Sequence, residues 1–266
     1  MNAIMQDLIA AAQASLAGAL PSPRIVAETM AAVAAASLLR GFTGFGFAMA
    51  AVPLMGLFMP PSSAVPIAVL LQLLTGLNDL RRNRRDCHWP SLRWLIAGAV
   101  IGSPLGVLAL SVAPAPVARI VISVIIAIAV LMLGRGFALA NVPSRPVTAL
   151  VGMMAGLFNG LAAMPGPPAI VYYMSGPFRA VAARASLLVF FLVTSIAAFV
   201  SIALVGLATP TVLWLSVLAL PVTFLGTRIG ELGFRRGSEQ LHRRVSIVSL
   251  GVIALISAAK GFAELS

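Results

Sequence analysis

The chain has 266 residues, of which 60% are hydrophobic and only 9% are charged. A soluble domain of this length could not hide so much apolar surface, so the composition excludes an ordinary water-soluble protein. The formal charge of +11 does not indicate a nucleic-acid-binding protein, because the arginines stand mostly in short loops between hydrophobic segments, as they do in the cytoplasmic loops of membrane proteins.

Residues 1–23 come before the first apolar segment and have no basic region at their start, so a cleaved signal peptide is not expected. We predict an N-terminal extension, either an amphipathic surface helix or a loose segment. Five nearly uncharged windows lie further along the chain, and each could cross about 30 Å of hydrocarbon as a helix. These windows cover residues 62–77, 94–113, 117–133, 185–208 and 208–227.

A glycine-rich string, "GFTGFG" at 41–46, interrupts the first apolar segment. Without an interruption, residues 24–59 would form a helix of about 54 Å, which is far too long for one crossing. Glycine adopts backbone angles that other residues avoid, so we predict that the chain folds back at this string. Two half-helices would then cover about 24–40 and 46–59, and a pair of full but short spanning helices is the alternative.

The second half of the chain resembles the first, with corresponding strings 119–125 residues apart. We predict two repeats, residues 24–137 and 147–266, joined by a linker at 138–146. Each repeat would have a broken helical hairpin followed by three transmembrane helices. The corresponding strings are "LLRGFTGFGFAMAAVPLM" (38–55) with "LFNGLAAMPGPPAIVYYM" (157–174), "IGSPLG" (101–106) with "LGTRIG" (225–230), and "RIVISVIIAIAVLMLGRGF" (119–137) with "RVSIVSLGVIALISAAKGF" (244–262).

The basic residues indicate the orientation of the repeats. The loop at 81–93 is rich in arginine, whereas its counterpart at 205–210 has no charge. The next loop of each half shows the reverse bias. In the first half it is uncharged (111–116), and in the second half it is basic (234–244). Equivalent loops therefore lie on opposite sides of the membrane, as inverted repeats require. We expect a bacterial inner-membrane protein with cytoplasmic loops at 78–93, 134–146, 176–184 and 231–244.

Broken helices at matched places in inverted repeats indicate a transport site. Free amides at a half-helix N-terminus favour an anion, and Arg40 adds a permanent charge that suits an oxyanion. The alternative is that Arg40 only extends to the inner interface. At the second break, Asn159 stands where Arg40 stands in the first. The candidate substrate-binding residues are Arg40, Gly41, Thr43, Gly44, Gly46, Gln72, Asn78, Asn159, Gly160 and Gly166.

The sequence has no HExxH motif and no membrane-embedded His beside a nucleophilic Ser, so we predict no catalytic residues. We also predict no metal site and no cofactor, since the single cysteine, Cys87, forms no cluster. The expected partners are a small anionic substrate, the lipid bilayer and a coupling ion, either a proton or sodium. No nucleic acid is expected, and the GxxxG strings serve either internal packing or a homodimer face.

The strings "RGFTGFGFAMAAVPL", "GLFNGLAAMPGPPAIVYYM", "GSPLG" and "GTRIG" together resemble the sulfite exporter (TauE/SafE) family of membrane proteins. The resemblance covers nearly the whole chain after residue 23. It implies an inner-membrane carrier that moves sulfite or organosulfonates, usually outward. We therefore expect a secondary transporter that works by alternating access between the repeats. The alternatives are an anion channel and a transporter of an unrelated small organic anion.

Overall fold

The computed structural model describes residues 21–43, 46–83, 85–134, 141–234 and 239–264. These ranges contain ten α-helices and no strand, which confirms the all-α prediction. The predicted extension lies almost wholly outside the described residues. The helices are α1 (Pro23–Thr43), α2 (Phe47–Met55), α3 (Pro61–Asn83), α4 (Trp89–Val112), α5 (Ala115–Gly134), α6 (Arg145–Ala162), α7 (Gly166–Ser175), α8 (Ala180–Leu204), α9 (Pro210–Phe234) and α10 (Glu239–Ala263).

Four of the described helices are long and apolar enough to cross a membrane, which confirms a polytopic membrane protein. They are Pro23–Phe42, Trp89–Val112, Ala180–Leu204 and Pro210–Leu232. Shorter apolar stretches occupy Pro61–Leu77, Ala115–Ala129 and Gly251–Ala263. Two of the five predicted windows therefore belong to these shorter stretches.

The first apolar segment is broken at the predicted glycine string. Helix α1 ends at Thr43, and α2 begins at Phe47 after Gly46, whose φ of 89° lies in the left-handed region that favours glycine. Helix α1 has 21 residues and is longer than the expected half-helix at 24–40. Helix α2 has nine residues, so its length of about 14 Å is too short for a crossing.

The second break lies between α6 and α7. Ala163 follows α6 with a φ of 57°, and its N–H donates to the carbonyl oxygen of Asn159 at 2.7 Å. The Met164 N–H donates to the Phe158 carbonyl at 3.2 Å, which completes a C-terminal cap of the kind usually built on glycine. An alanine in this left-handed conformation costs about 1–2 kcal/mol, so the surrounding contacts must hold the break in place.

Two helix pairs meet through glycines at backbone contact. A Cβ atom added to Gly98 or Gly102 of α4 would collide with carbonyl oxygens of α6, and one added to Gly156 would collide with the backbone of α4. In the same way, a Cβ on Gly230 of α9 would collide with the Leu38 carbonyl oxygen of α1. In both pairs the contacts advance in the same direction along the two helices, so each pair is parallel. The GxxxG strings therefore serve packing within the chain.

Arg119, buried near the start of α5, holds the C-terminal end of α2. Its Nε donates to the carbonyl oxygen of Gly56 at 3.1 Å, and its Nη2 donates to that of Met59 at 3.4 Å. Its Nη1 pairs with Glu264, and Lys260 donates to the Leu57 carbonyl oxygen. Cations at a helix C-terminus counter its partial negative charge. The short helix α2 is thus held from the end opposite to the break.

Because Gly102 lies at backbone contact with α6, we expect Gly102→Ala to lower the free energy of unfolding by about 1–3 kcal/mol, the usual cost of overpacking. Gly251→Ala is the matched control, because no heavy atom of the described residues lies within 4 Å of a Cβ at that position. The measurement is the thermal unfolding midpoint of the detergent-purified protein. Equal midpoints for the two variants would contradict the backbone contact.

Replacing Arg119 with methionine would leave the carbonyl oxygens beyond α2 without their donor. We expect Arg119→Met to lower the free energy of unfolding by about 1–3 kcal/mol for each buried carbonyl oxygen left without a donor. Arg24→Met serves as the control, because Arg24 forms only an exposed ion pair with Glu28 at 2.8 Å. Thermal unfolding should separate the two variants, and a midpoint unchanged by Arg119→Met would show that α2 does not depend on this cap.

Candidate anion-binding site

A cavity of about 90 Å³ lies between the two helix breaks. The N-terminal end of α2 lines one wall, and the chain from Ala163 to Pro167 lines another. Helix α3 contributes Gln72 and Gly76, and α8 contributes three apolar side chains that include Phe191. Arg40, in the last turn of α1, also lines the cavity. The two breaks that the sequence predicts are therefore adjacent in space.

The N-terminus of α2 presents hydrogen-bond donors to this cavity. The first-turn N–H groups of Phe47, Ala48 and Met49 have no acceptor within the helix, because the helix begins at Phe47. Gly46 has no side chain to cap them. A helix N-terminus carries a partial positive charge, so this wall of the cavity favours an anion.

The N-terminus of α7 offers fewer donors than that of α2. Three prolines stand at its start, Pro165, Pro167 and Pro168, and proline has no N–H group. Gly166 and Ala169 keep theirs. The cavity is therefore asymmetric, with most of its free amides and its guanidinium on the side of the first break.

Arg40 is half-buried, and Thr75 of α3 is one of its hydrogen-bond partners. Its Nη1 donates to Thr75 Oγ1 at 3.1 Å. The Thr75 hydroxyl in turn donates to the Leu71 carbonyl oxygen of its own helix at 2.8 Å. This arrangement directs the lone pairs of Thr75 toward the guanidinium. None of the described residues that line the cavity is acidic, so its lining favours negative charge.

Two amide side chains hold the second break in place. Gln72 Nε2 donates to the Ala163 carbonyl oxygen at 2.9 Å, which ties α3 to the left-handed residue of the break. Asn159 is fully buried, and its Nδ2 donates to the Thr194 carbonyl oxygen of α8 at 2.9 Å. These bonds supply the tertiary support that the strained Ala163 requires.

Four of the predicted site residues line the cavity: Arg40, Gly46, Gln72 and Gly166. Gly41 and Gly160 lie instead at helix crossings, where an added Cβ would meet the carbonyl oxygens of Thr227 and Ser103, respectively. Asn159 braces α8 rather than lining the cavity. Thr43 ends α1, but its side chain, that of Asn78 and the whole of Gly44 lie outside the described parts of the structure. A ligand role for any of these residues stays a prediction.

The sequence predicted free amides at a half-helix N-terminus but did not assign them to Phe47, Ala48 and Met49, and it missed the aromatic ring of Phe191. The amides have no signal in side-chain chemistry, because the backbone supplies the donors. Phe191 had a signal, since the spacing of 119 residues that relates Arg40 to Asn159 also relates Gln72 to Phe191. Both Gln72 and Phe191 line the cavity.

Comparison with protein families matches residues 29–256 to the family described as Sulfite exporter TauE/SafE. Comparisons with curated proteins and with solved structures give no match. The matched residues cover most of the chain and include both helix breaks and every residue that lines the cavity. The chain therefore belongs to the Sulfite exporter TauE/SafE family.

Proposed function

We propose that this protein is a secondary transporter that exports a small sulfur-containing anion, such as sulfite or an organosulfonate. The family itself is one of membrane transporters for sulfur anions, and the substrate, the direction and the mechanism are the proposal. The proposal includes no catalytic step. It rests on one observation above all, the cavity between the two breaks with Arg40 and the α2 amides in its walls.

The size and chemistry of the cavity suit a small oxyanion. Its volume of about 90 Å³ is well below the range of about 300–1,000 Å³ for pockets that hold drug-sized ligands. A guanidinium presents donors in a planar fork that matches carboxylate, sulfite or sulfonate oxygens. Phe191 and apolar side chains such as Leu188 and Leu192 also line the cavity, and they would accommodate the carbon atoms of an organosulfonate.

Equivalent contacts in the two halves of the chain support the proposed repeats at 24–137 and 147–266. Arg40 contacts Thr75, and its counterpart Asn159 contacts Thr194, with the same spacing of 119 residues for both members of each pair. The parallel pair of α1 with α9 has a counterpart in the parallel pair of α6 with α4. The cavity lies between elements of the two halves, so a rocking motion of one half against the other would open it to alternate sides.

Arg40→Gln removes the charge at the cavity and keeps much of the side-chain volume. We expect 10- to 100-fold weaker sulfite binding, because hydrogen bonds to charged groups contribute about 1.5–3 kcal/mol. The measurement is sulfite efflux from proteoliposomes, with taurine, sulfoacetate and sulfate as competitors. Arg184→Gln, an exposed arginine at the start of α8, is the matched control.

The outcomes of this assay separate the alternatives. Saturable efflux that Arg40→Gln weakens and Arg184→Gln leaves intact would support the carrier. Unchanged efflux in Arg40→Gln would mean that Arg40 is only an interfacial anchor. Flux that rises linearly with concentration would favour an anion channel instead. Efflux of an unrelated organic anion without any flux of sulfur anions would overturn the proposed substrate class.

Cys87 tests the proposed cytoplasmic position of the loop at 78–93. It is the only cysteine in the sequence and lies just before α4. Burial, with a contribution from the nearby Asp86 carboxylate, raises the pKa of its thiol. The thiolate is the reactive form, so labelling by a membrane-impermeant maleimide should be slow at pH 7 and accelerate as the pH rises. We expect labelling in inside-out vesicles and not in intact cells.

A control for this labelling places the cysteine at the opposite end of α4. Residue 111 lies at the predicted outer loop. The variant Ser111→Cys in a Cys87→Ser background should therefore react with the maleimide in intact cells. Two results would contradict the proposed orientation in the inner membrane. One is labelling of Cys87 in intact cells, and the other is labelling of the Ser111→Cys variant in inside-out vesicles only.

A further inference from the structure

A second cavity, of about 200 Å³, lies where α4 and α6 begin. Its rim carries Arg93 of α4 and Arg145 of α6, and its walls include Trp94, Thr148 and Tyr172. None of these residues lines the cavity between the breaks. The second cavity is thus a separate feature that the proposed transport site does not use.

Two permanent positive charges at this rim lie beside the same aromatic ring, that of Trp94. The guanidinium carbon of Arg93 lies 5.8 Å from the centre of the Trp94 ring, and that of Arg145 lies 5.9 Å from the same ring. Each contact is favourable as a cation–π interaction, but the two like charges repel each other. Within the described parts of the chain, neither arginine forms an ion pair, and no acidic side chain lines the cavity.

The helix ends at this site add positive potential of their own. Helices α4 and α6 are parallel and begin at Trp89 and Arg145, so their N-termini lie on the same side. Neither first turn contains an acidic residue, and neither N-cap side chain, His88 or Ser144, caps a backbone N–H of its helix. A cation near a helix N-terminus is unfavourable by itself. An anion placed between the arginines would relieve both the mutual repulsion and the dipole penalty.

Buried polar side chains also line this cavity. Thr148 and Tyr172 are buried, and their hydroxyl oxygens lie 3.2 Å apart. Ser91, also buried, lies with its hydroxyl oxygen 2.8 Å from His88 Nδ1. Both Ser91 and His88 line the cavity. The Thr148 hydroxyl already donates to the Ser144 carbonyl oxygen at 3.0 Å, so these groups hold the lining in place and the two guanidinium groups supply the donors for an anion.

We infer that this cavity is a second anion site, which binds a tetrahedral oxyanion of the phosphate or sulfate type between Arg93 and Arg145. The same chemistry could come from a free anion or from the phosphate of a lipid headgroup. Arginine forks suit such oxygens, and both arginines line this cavity.

The test is binding of radiolabelled inorganic phosphate to the purified protein in nanodiscs of neutral phosphatidylcholine. An Arg40→Gln background disables the cavity between the breaks, so that the result does not depend on the proposed transport site. We expect one saturable site per chain. Arg93→Gln with Arg145→Gln should abolish it, or weaken it at least 10-fold, whereas Arg179→Gln, an exposed arginine outside the cavity, should not.

A second arm uses nanodiscs that contain phosphatidylglycerol. A lower apparent affinity for phosphate there would identify the lipid headgroup as a competing occupant, and an unchanged affinity would identify the free anion. The double lysine variant Arg93→Lys with Arg145→Lys keeps the charge and should retain weaker binding, which guards against simple misfolding. Absence of saturable binding in neutral nanodiscs, or binding unaffected by Arg93→Gln with Arg145→Gln, would overturn the inference.

Discussion

The close contact of helix backbones in two parallel pairs is the constraint on which the rest of the structure depends. In a bilayer the hydrophobic effect does not drive helices together, so association relies on close packing. Glycines at the crossings of α4 with α6 and of α1 with α9 allow that packing. Because α1 and α6 are the helices that end at the breaks, the two crossings also fix where the irregular backbone lies.

The short helix α2 is placed by charge as well as by packing. Arg119 and Lys260 bind carbonyl oxygens beyond its C-terminal end, and its first three residues line the cavity between the breaks. Cationic groups stabilise one end of the helix dipole, and an anion would stabilise the other. An anion bound at the break would therefore stabilise α2 itself, although this helix has only nine residues.

The two breaks are built differently although they face the same cavity. The first uses Gly46 in a left-handed conformation and leaves the first amides of α2 without an acceptor in their own helix, and the second uses Ala163 with prolines behind it. Gln72 and Asn159 brace the second break through hydrogen bonds to backbone carbonyls. One break therefore supplies most of the donors to the cavity, while the other supplies a rigid wall.

The sequence by itself determined the helical class, the positions of the two breaks and the sign of the charge beside the first one, because composition, glycine and proline placement, and Arg40 act locally. It also carried the family resemblance that the comparison with protein families confirmed. Only the tertiary structure decided which residues near the breaks line the cavity. Gly41 and Gly160 have the same local chemistry as Gly46 and Gly166, yet they lie at helix crossings, because a glycine's role depends on which helix faces it. The buried cap formed by Arg119 and the brace formed by Asn159 likewise join segments distant in sequence, and the periodicity of a single helix contains no information about such partners.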